Sequence, residues 1–427
     1  MTKARTITPT VTFVDEYCAQ LQDLFPDVRS FEQFKFLHLG MLADLPRKSL
    51  PAIARAVGQT NAQALHHFLT ASPWSPTSLR QRRLELLKRL VADRPLTLCV
   101  DETGDRKKGS TTDYISRQYL GNVGKIDNGI VSVNLYGVLD GIPFPLSFAI
   151  FKPKKTLKDT DIHRSKPQLA IELVRELVAF GFRIDVVVAD SLYGESGAFI
   201  QALNDLSLPY IVAIRREHGV LMPPGQRVRA NRWRRFERHF ADGTSEERWM
   251  REWIFGTKRR VRFFDLTSDP ETLPEETTQF VMTTVTTNVW KTVGDGYGLR
   301  TWVEYGFKQA KNQLGWSDYR LTDATAIERW WEVVMSAYLL VSTHALQWSE
   351  AHSDPERAAP AFFGEHPWWT KGENWADVLT NLRVVVQPMV CFWWLSPWVQ
   401  LLGRPQLHDA FQPLLAAMNT FHALIPI

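Results

Sequence analysis

Near residue 96 the chain changes hydrophobic period, and that change restricts its fold more than any other pattern in the 427 residues. Residues 10–95 carry helical spacing throughout. From Leu96 the spacing becomes β-like. Leu96-Thr-Leu-Cys-Val-Asp101 is a short apolar run that ends on an acid. Ile130–Leu139 and Ile142–Phe151 flank Asp140-Gly141, a pair that strongly favours a two-residue hairpin turn. Leu169–Phe180 returns to helical spacing and stops at Gly181. Ile184-Asp-Val-Val-Val-Ala-Asp190 reads as a buried strand and again ends on an acid. A helix at Ser196–Leu206 and a strand at Tyr210–Ile214 complete the set. Three antiparallel strands followed by helix, strand, helix and strand predict an α/β domain with a mixed sheet.

The helical segment before it holds a helix-turn-helix candidate. Ser49-Leu-Pro-Ala-Ile-Ala-Arg-Ala-Val-Gly58 has a Ser N-cap, Pro51 in the first turn and a closing glycine. A short turn leads to Ala62–Thr70, an arrangement that serves either DNA binding or a plain αα-hairpin. A third helix from Leu79 to Val91 places Arg80, Arg82, Arg83, Lys88 and Arg89 on positions expected to be exposed. Beyond the α/β segment, residues 217–277 are rich in Arg and Trp with short β-like runs, and read as an insertion. The chain is mainly helical again after 297. The expected organisation is therefore an N-terminal helical DNA-binding domain at 1–95, and a catalytic domain at 96–216 and 278–348. The β-rich insertion at 217–277 interrupts that domain, and a C-terminal helical region follows at 349–427.

Composition excludes several classes. With 44% apolar and 22% charged residues, global disorder is ruled out. The three cysteines, Cys18, Cys99 and Cys391, form no CxxC pair, which excludes a thiolate zinc site and a disulfide scaffold. No HExxH or Walker A motif is present. The apolar stretch Val384–Leu402 is interrupted by Gln387, Pro388, Ser396, Pro397 and Gln400, so it reads as core and no membrane span is expected. No apolar signal segment follows the N-terminus, which fits the cytoplasm.

Two strand ends carry acids, Asp101 and Asp190. Residues beyond strand ends in α/β folds are where function usually sits, although Asp also starts ordinary turns. A sharper pattern lies at Tyr297-Gly-Leu-Arg300-Thr-Trp-Val-Glu304-Tyr-Gly-Phe-Lys308-Gln-Ala-Lys311. At about 100° per residue, Tyr297, Arg300, Glu304 and Lys311 fall within one stripe roughly 60° wide. Val303, Phe307, Ala310 and Leu314 lie on another side and can face a core. One carboxylate flanked by cations suits a metal ligand beside phosphates. Lys308 also falls on the stripe, so an ordinary charge ladder around Glu304 fits the same residues.

The spacing Tyr-x2-Arg-x3-Glu-x6-Lys resembles the YREK signature of bacterial insertion-sequence transposases with a DDE site. Val100-Asp-Glu-Thr-Gly-Asp-Arg-Lys-Lys-Gly109 looks like the first-Asp motif of one branch, and Ala189-Asp-Ser-Leu-Tyr-Gly194 like the second. Gly124-Lys-Ile-Asp-Asn128 and Ser72-Pro-Trp74 resemble the same branch, so the likeness spans about residues 45–345. It implies an RNase H-like fold in which the Glu lies on a helix after the sheet, beyond a β-rich insertion. The 114 residues from Asp190 to Glu304 leave room for one.

By this resemblance Asp101, Asp190 and Glu304 would hold two Mg²⁺ ions, with Mn²⁺ able to substitute, for strand cleavage and strand transfer at terminal repeats. Arg300 and Lys311 would grip phosphates, and Tyr297 would contact the same strand. Lys308, Lys107, Lys108, Lys125, Arg232, Arg234 and Arg235 are further DNA-contact candidates. Trp233, Trp249, Trp253 and Trp290 are candidates to receive a flipped base at a hairpin intermediate. Partners would be the transposon ends, target DNA in the nucleoid, and a second copy in a homodimer. A domesticated nuclease, or a DNA-binding regulator without activity, would keep the same scaffold.

Charge placement supports a nucleic-acid partner. Residues 215–262 hold 14 Lys and Arg against six acids, a net +8, whereas the whole chain carries only +4. A basic stretch interleaved with tryptophan suits phosphate contact and base stacking. A solvated surface would show the same excess.

Overall fold

The computed structural model describes residues 5–121, 123–239, 244–257, 259–286, 289–298, 300–351 and 361–422. Contacts gather these residues into two compact units. One comprises Met1–Ala92, Thr111–Asp113 and Lys308–Ile427; the other comprises Asp93–Ser110 and Tyr114–Phe307.

The first unit is helical. It opens with α1 (Thr12–Ala19), α2 (Val28–Leu42), α3 (Leu50–Ala56), α4 (Gln63–Thr70) and α5 (Pro76–Val91). Asp27 caps α2 by accepting from the Ser30 amide, and Ser75 caps α5 through Ser78. Ser49 stands at the N-cap of α3, as its sequence predicts, but its side chain makes no capping bond. The expectation for α5 fails in part. Arg83 is fully buried and Arg80 nearly so, and both bond to the buried carboxylate of Glu332, at 3.2 and 2.6 Å. A guanidinium fork matched to a carboxylate satisfies charge inside a core, which sequence periodicity does not report.

The second unit is a sheet with helices on it. Its elements are β1 (Leu96–Arg106), β2 (Ser116–Leu120), β3 (Lys125–Leu139), β4 (Ile142–Ile150), α6 (Lys166–Ala179), β5 (Ile184–Ala189), α7 (Ser191–Gly194), α8 (Gly197–Asp205) and β6 (Tyr210–Ile214). They continue through β7 (Val228–Ala230), β8 (Arg234–His239), β9 (Ser245–Phe255), β10 (Arg262–Thr267), β11 (Gln279–Thr283), α9 (Val289–Gly298) and α10 (Arg300–Asn312). β3 pairs antiparallel with β1 and with β4, whereas β1, β5 and β6 run parallel. The β3–β4 turn is Asp140-Gly141, with φ of 50° and 74°, the geometry a right-twisted hairpin selects. α6 carries the crossover from β4 to β5, and α7 with α8 the one from β5 to β6. Ser165 and Gln168 close a capping box at the start of α6. This is the mixed α/β, RNase H-like order.

One feature departs from the sequence reading. β1 does not stop at Asp101 but runs on to Arg106, because the long β3 pairs with it from Thr97 to Arg106. The strands of the Arg- and Trp-rich segment join the same sheet. β11 pairs with β6, β10 with β11 and β9 with β10, so the strands of 217–277 extend the central sheet edge to edge.

The chain returns to the helical unit through the second half of α10, then α11 (Ala324–Ala351), α12 (Trp375–Leu401) and α13 (Pro405–Met418). α11 is the centre of that unit. Trp330, Trp331, Val334 and Tyr338 are all buried, with the Trp331 ring stacked on Trp316 at 4.5 Å.

Candidate active site and nucleic-acid face

Parallel pairing of β1 with β5 ends at Val100 opposite Ala189. The next residue on each chain is therefore an aspartate, and Asp101 and Asp190 emerge side by side where the two strands part. β1 continues beyond this point on β3 alone, with Asp101 opposite Asn134. Asp190 leaves its strand at once and caps α7, its carboxylate accepting from the Leu192 amide at 2.9 Å. The turn is tight. A Cβ on Gly194 would lie 1.9 Å from the Ala213 carbonyl oxygen, so only glycine lets α7 close against β6.

Tyr193, between the acid turn and that glycine, is fully buried. Its hydroxyl donates to Glu102 at 3.1 Å, and the same carboxylate accepts from the Lys166 ammonium at 2.8 Å. Burial first, and then the charges of Glu102, Asp101 and Asp190, push the Tyr193 hydroxyl well above the ordinary tyrosine range. Its proton therefore stays in place and ties the Asp190 turn to β1. Both aspartates are close enough for their field to be felt at one buried oxygen.

Glu304 lies on α10, and its side chain is exposed. Phe307, Ala310 and Leu314 are buried, as the predicted core face requires. The Phe307 ring meets Tyr136 edge-on at 5.7 Å, and a Cβ on Gly306 would stand 3.0 Å from the Tyr136 ring. Tyr136 lies opposite Cys99, two residues before Asp101 on β1. Side chains two apart share a face of a strand. α10 is thereby seated on the face of the sheet to which Asp101 points. Lys308 (exposed) and Lys311 (half-buried) occupy later positions of α10. Tyr297 belongs to α9 and Arg300 to α10, but their side chains lie outside the described residues.

Among the described residues no three His, Cys, Asp or Glu side chains are already gathered closely enough to hold a metal ion. The donor set still suits a hard divalent cation. It is made of carboxylate oxygens, with two aspartates on adjoining strand ends and a negative field that reaches Tyr193. The loop beyond β1 is anchored: Lys107 pairs with Asp105 at 2.7 Å, whereas Lys108 and Lys125 are exposed.

The basic segment proves more self-neutralised than its composition suggests. Arg235 pairs with Glu247, Arg248 with Glu246, Arg251 with Asp265, and Arg262 with Glu252. Arg227 and Arg232 are exposed and make no ion pair among the described residues, and Arg234 lies over the Trp290 ring at 4.4 Å. Three of these pairs join neighbouring antiparallel strands and Arg248–Glu246 lies along β9, so a linear charge count overstates the free cations. The four tryptophans also separate. The Arg251 guanidinium lies between Trp233 and Trp253, 4.3 and 4.6 Å from their centroids. The Trp253 indole donates to Asp265 at 2.6 Å. Trp290 packs edge-on against Phe264, and Trp249 is half-buried on β9. Trp253 and Arg251, with Phe255, Phe263, Arg215 and Arg216, line a groove of about 920 Å³. Nothing in the sequence joins Arg215 and Arg216 to Trp253, because the chain passes through β7 and β8 between them.

An RNase H-like sheet with this acid pair points to a nuclease class, and the comparison with families agrees. The family model described as DDE superfamily endonuclease matches residues 20–250, more than half of the chain. The probable transposase for insertion sequence element IS701 of Microchaete diplosiphon is 53% identical over 329 residues, covering 77% of this chain and 87% of that relative. The chain belongs to the insertion-sequence transposases of the DDE endonuclease superfamily. It is thus a nuclease-type enzyme of a superfamily that uses divalent metal ions.

Proposed function

We propose that the chain cuts DNA at the ends of an insertion element and joins the freed ends to a target, with Asp101, Asp190 and Glu304 as its metal-holding carboxylates. The observation that carries this reading is the emergence of Asp101 and Asp190 together where β1 and β5 part, on the face that α10 covers. Mg²⁺, for which Mn²⁺ substitutes, would supply the Lewis acidity that in-line phosphoryl transfer requires. The protein's own residues do the rest. Tyr193 and Lys166 fix Glu102 and so hold the β1 and α7 acids in register. Arg300, Lys308 and Lys311, with Tyr297 on the preceding helix, position phosphates as a fork and point charges. Lys108, Lys125, Arg232 and Arg234 extend the phosphate track, whereas Lys107 and Arg235 are already paired with Asp105 and Glu247. The groove beside Trp253 offers aromatic faces and arginines to an unpaired strand. The reaction takes place in the cytoplasm, on nucleoid DNA, with two copies acting on paired ends.

The test is cleavage of DNA carrying the element's own flanking ends in Mg²⁺. Wild type should cut, and Asp101→Ala, Asp190→Ala and Glu304→Ala should each reduce the rate by at least about 1,000-fold while retaining end binding in gel shift. Normal cutting by Glu304→Ala would remove that residue from the site.

A further inference from the structure

We propose that the hairpin of β2 and β3 is a further DNA-contacting element, which presses Tyr119 and Ile126 into a base step of the duplex about eight base pairs from the cleaved phosphate. This rests on the DNA-cutting reading above, because it needs a duplex lying across the acid pair.

The placement follows from the register. β1 and β3 pair without a break from Thr97–Val138 to Arg106–Gly129, with Asp101 opposite Asn134. Side chains two apart share a face of a strand. Asn134, Ser132, Ile130, Asn128 and Ile126 therefore stand on the face that carries Asp101. Beyond Gly129 only β2 is paired along β3, and there Asn128 lies opposite Arg117 and Ile126 opposite Tyr119. Arg117 and Tyr119 belong to the acid face as well. From Asn134 to Ile126 the strand covers about 26 Å, or about eight steps of duplex at 3.4 Å each.

The two faces of the hairpin differ. On the face away from the acids Leu120 is fully buried. A Cβ on Gly104 would stand 2.5 Å from it and one on Gly129 2.9 Å, so these glycines leave the hollow that Leu120 fills. That packing fixes the hairpin to the sheet. On the acid face the cross-strand pair is left in water: Tyr119 is 58% and Ile126 61% exposed.

Charge selects the occupant. Residues 106–128 hold five Lys and Arg against two acids, a net +3. One of those acids, Asp127, already pairs with Arg106 at 2.8 Å. Arg117, Lys108 and Lys125 are exposed and make no ion pair among the described residues. An apolar wedge between base steps, with cations beside it on the phosphates, is how proteins open and bend a duplex. A protein partner would have to bring acids to these cations, whereas DNA carries phosphates along both edges of the groove.

Anisotropy with the full-length chain, in the absence of divalent metal, tests this on duplexes carrying the element's own end. In one series the DNA stops about 4 or about 14 base pairs beyond the cleaved phosphate on the flanking side; in the other it stops at those lengths on the element side. Tyr119→Ala plus Ile126→Ala should lose at least about 10-fold in affinity for the longer duplex of one series. It should bind the shorter duplexes as wild type does, which also shows that it is folded. The series that responds tells whether the hairpin holds flanking DNA or the element's own end. Wild type should raise the fluorescence of 2-aminopurine placed about eight base pairs from the cleaved phosphate on that side, and the double variant should not. Arg117→Gln should lower the slope of log K against log salt by about 1 on the longer duplex alone. A double variant that binds all four duplexes like wild type, one that weakens on short and long duplexes alike, or one altered only in self-association would each overturn the proposal. Cleavage is measured separately: a wild type that shows this length dependence but does not cut counts against the acid site and leaves the hairpin contact standing.

Discussion

Asp265 is the residue whose removal should most disturb the extended sheet. It sits opposite Arg251 across the β9–β10 pair, is almost fully buried, and accepts at one oxygen from the Trp253 indole (2.6 Å) and the Arg251 guanidinium (2.9 Å). Asp265→Ala leaves a guanidinium and an indole N–H without their acceptor. Breaking a buried ion pair costs about 3–5 kcal/mol. The Arg251 side chain keeps 21% of its surface in water, so partial rehydration places the expected loss near the lower figure, about 3 kcal/mol. Asp265→Asn retains one acceptor but no charge and should lose roughly half as much. Hydrogen exchange read by mass spectrometry localises the effect. Peptides covering β9 and β10 should exchange on the order of 100-fold faster in Asp265→Ala, since about 1.4 kcal/mol is a factor of ten. Peptides covering β1 and β5 should be unaffected. A change of less than about fivefold in β9 and β10, equivalent to about 1 kcal/mol, would refute the claim that this carboxylate organises the Trp233–Arg251–Trp253 stack.

Two other perturbations are specific to this structure. Burial, reinforced by Arg383 and partly offset by Asp44 and Asp318, brings the Lys48 ammonium down from 10.5 to about 7. Between about pH 7 and pH 10 the unfolded chain therefore holds a proton that the folded chain has released, so this group makes stability rise with pH across that window; below pH 7 its penalty is fully in place. Lys48→Met should stabilise the protein most near pH 6 relative to wild type, with the difference shrinking toward pH 10, and a pH-independent difference in denaturation midpoints would contradict it. On the basic strands, Arg227→Gln with Arg232→Gln should reduce the slope of log K against log salt for end-DNA binding by about 2. Arg262→Gln, whose guanidinium already grips Glu252 through two bonds of 2.7 Å, should leave that slope alone. Anisotropy across a salt series separates the two, and equal slopes for all three proteins would mean the β7–β8 edge does not face DNA.

Local patterns were enough to define most of the scaffold. The run Ile184–Ala189 is mostly apolar because both faces of β5 are covered, and Asp140-Gly141 announces its hairpin because few residues accept two positive φ angles in succession. The order of those elements favours a mixed sheet with β1 beside β5, in which two strand-end aspartates meet. The Phe307, Ala310 and Leu314 spacing likewise fixed which side of α10 would be buried, and hence that Glu304 would be left outward.

Tertiary structure decided what depends on residues far apart in sequence. β1 outran Asp101 because β3 was long enough to hold it. Arg83 went inward because Glu332, 249 residues later, was there to neutralise it. Arg235, Arg251 and Arg262 were neutralised across strands by acids whose register no linear count contains. Tyr193 became a tie between the two acid-bearing strands only through Glu102. The apolar end of α12 reads in sequence as more core, and only packing shows that the core ends before the helix does. Periodicity records which side chains avoid water; which partners they find, and where partners run out, is settled by the fold.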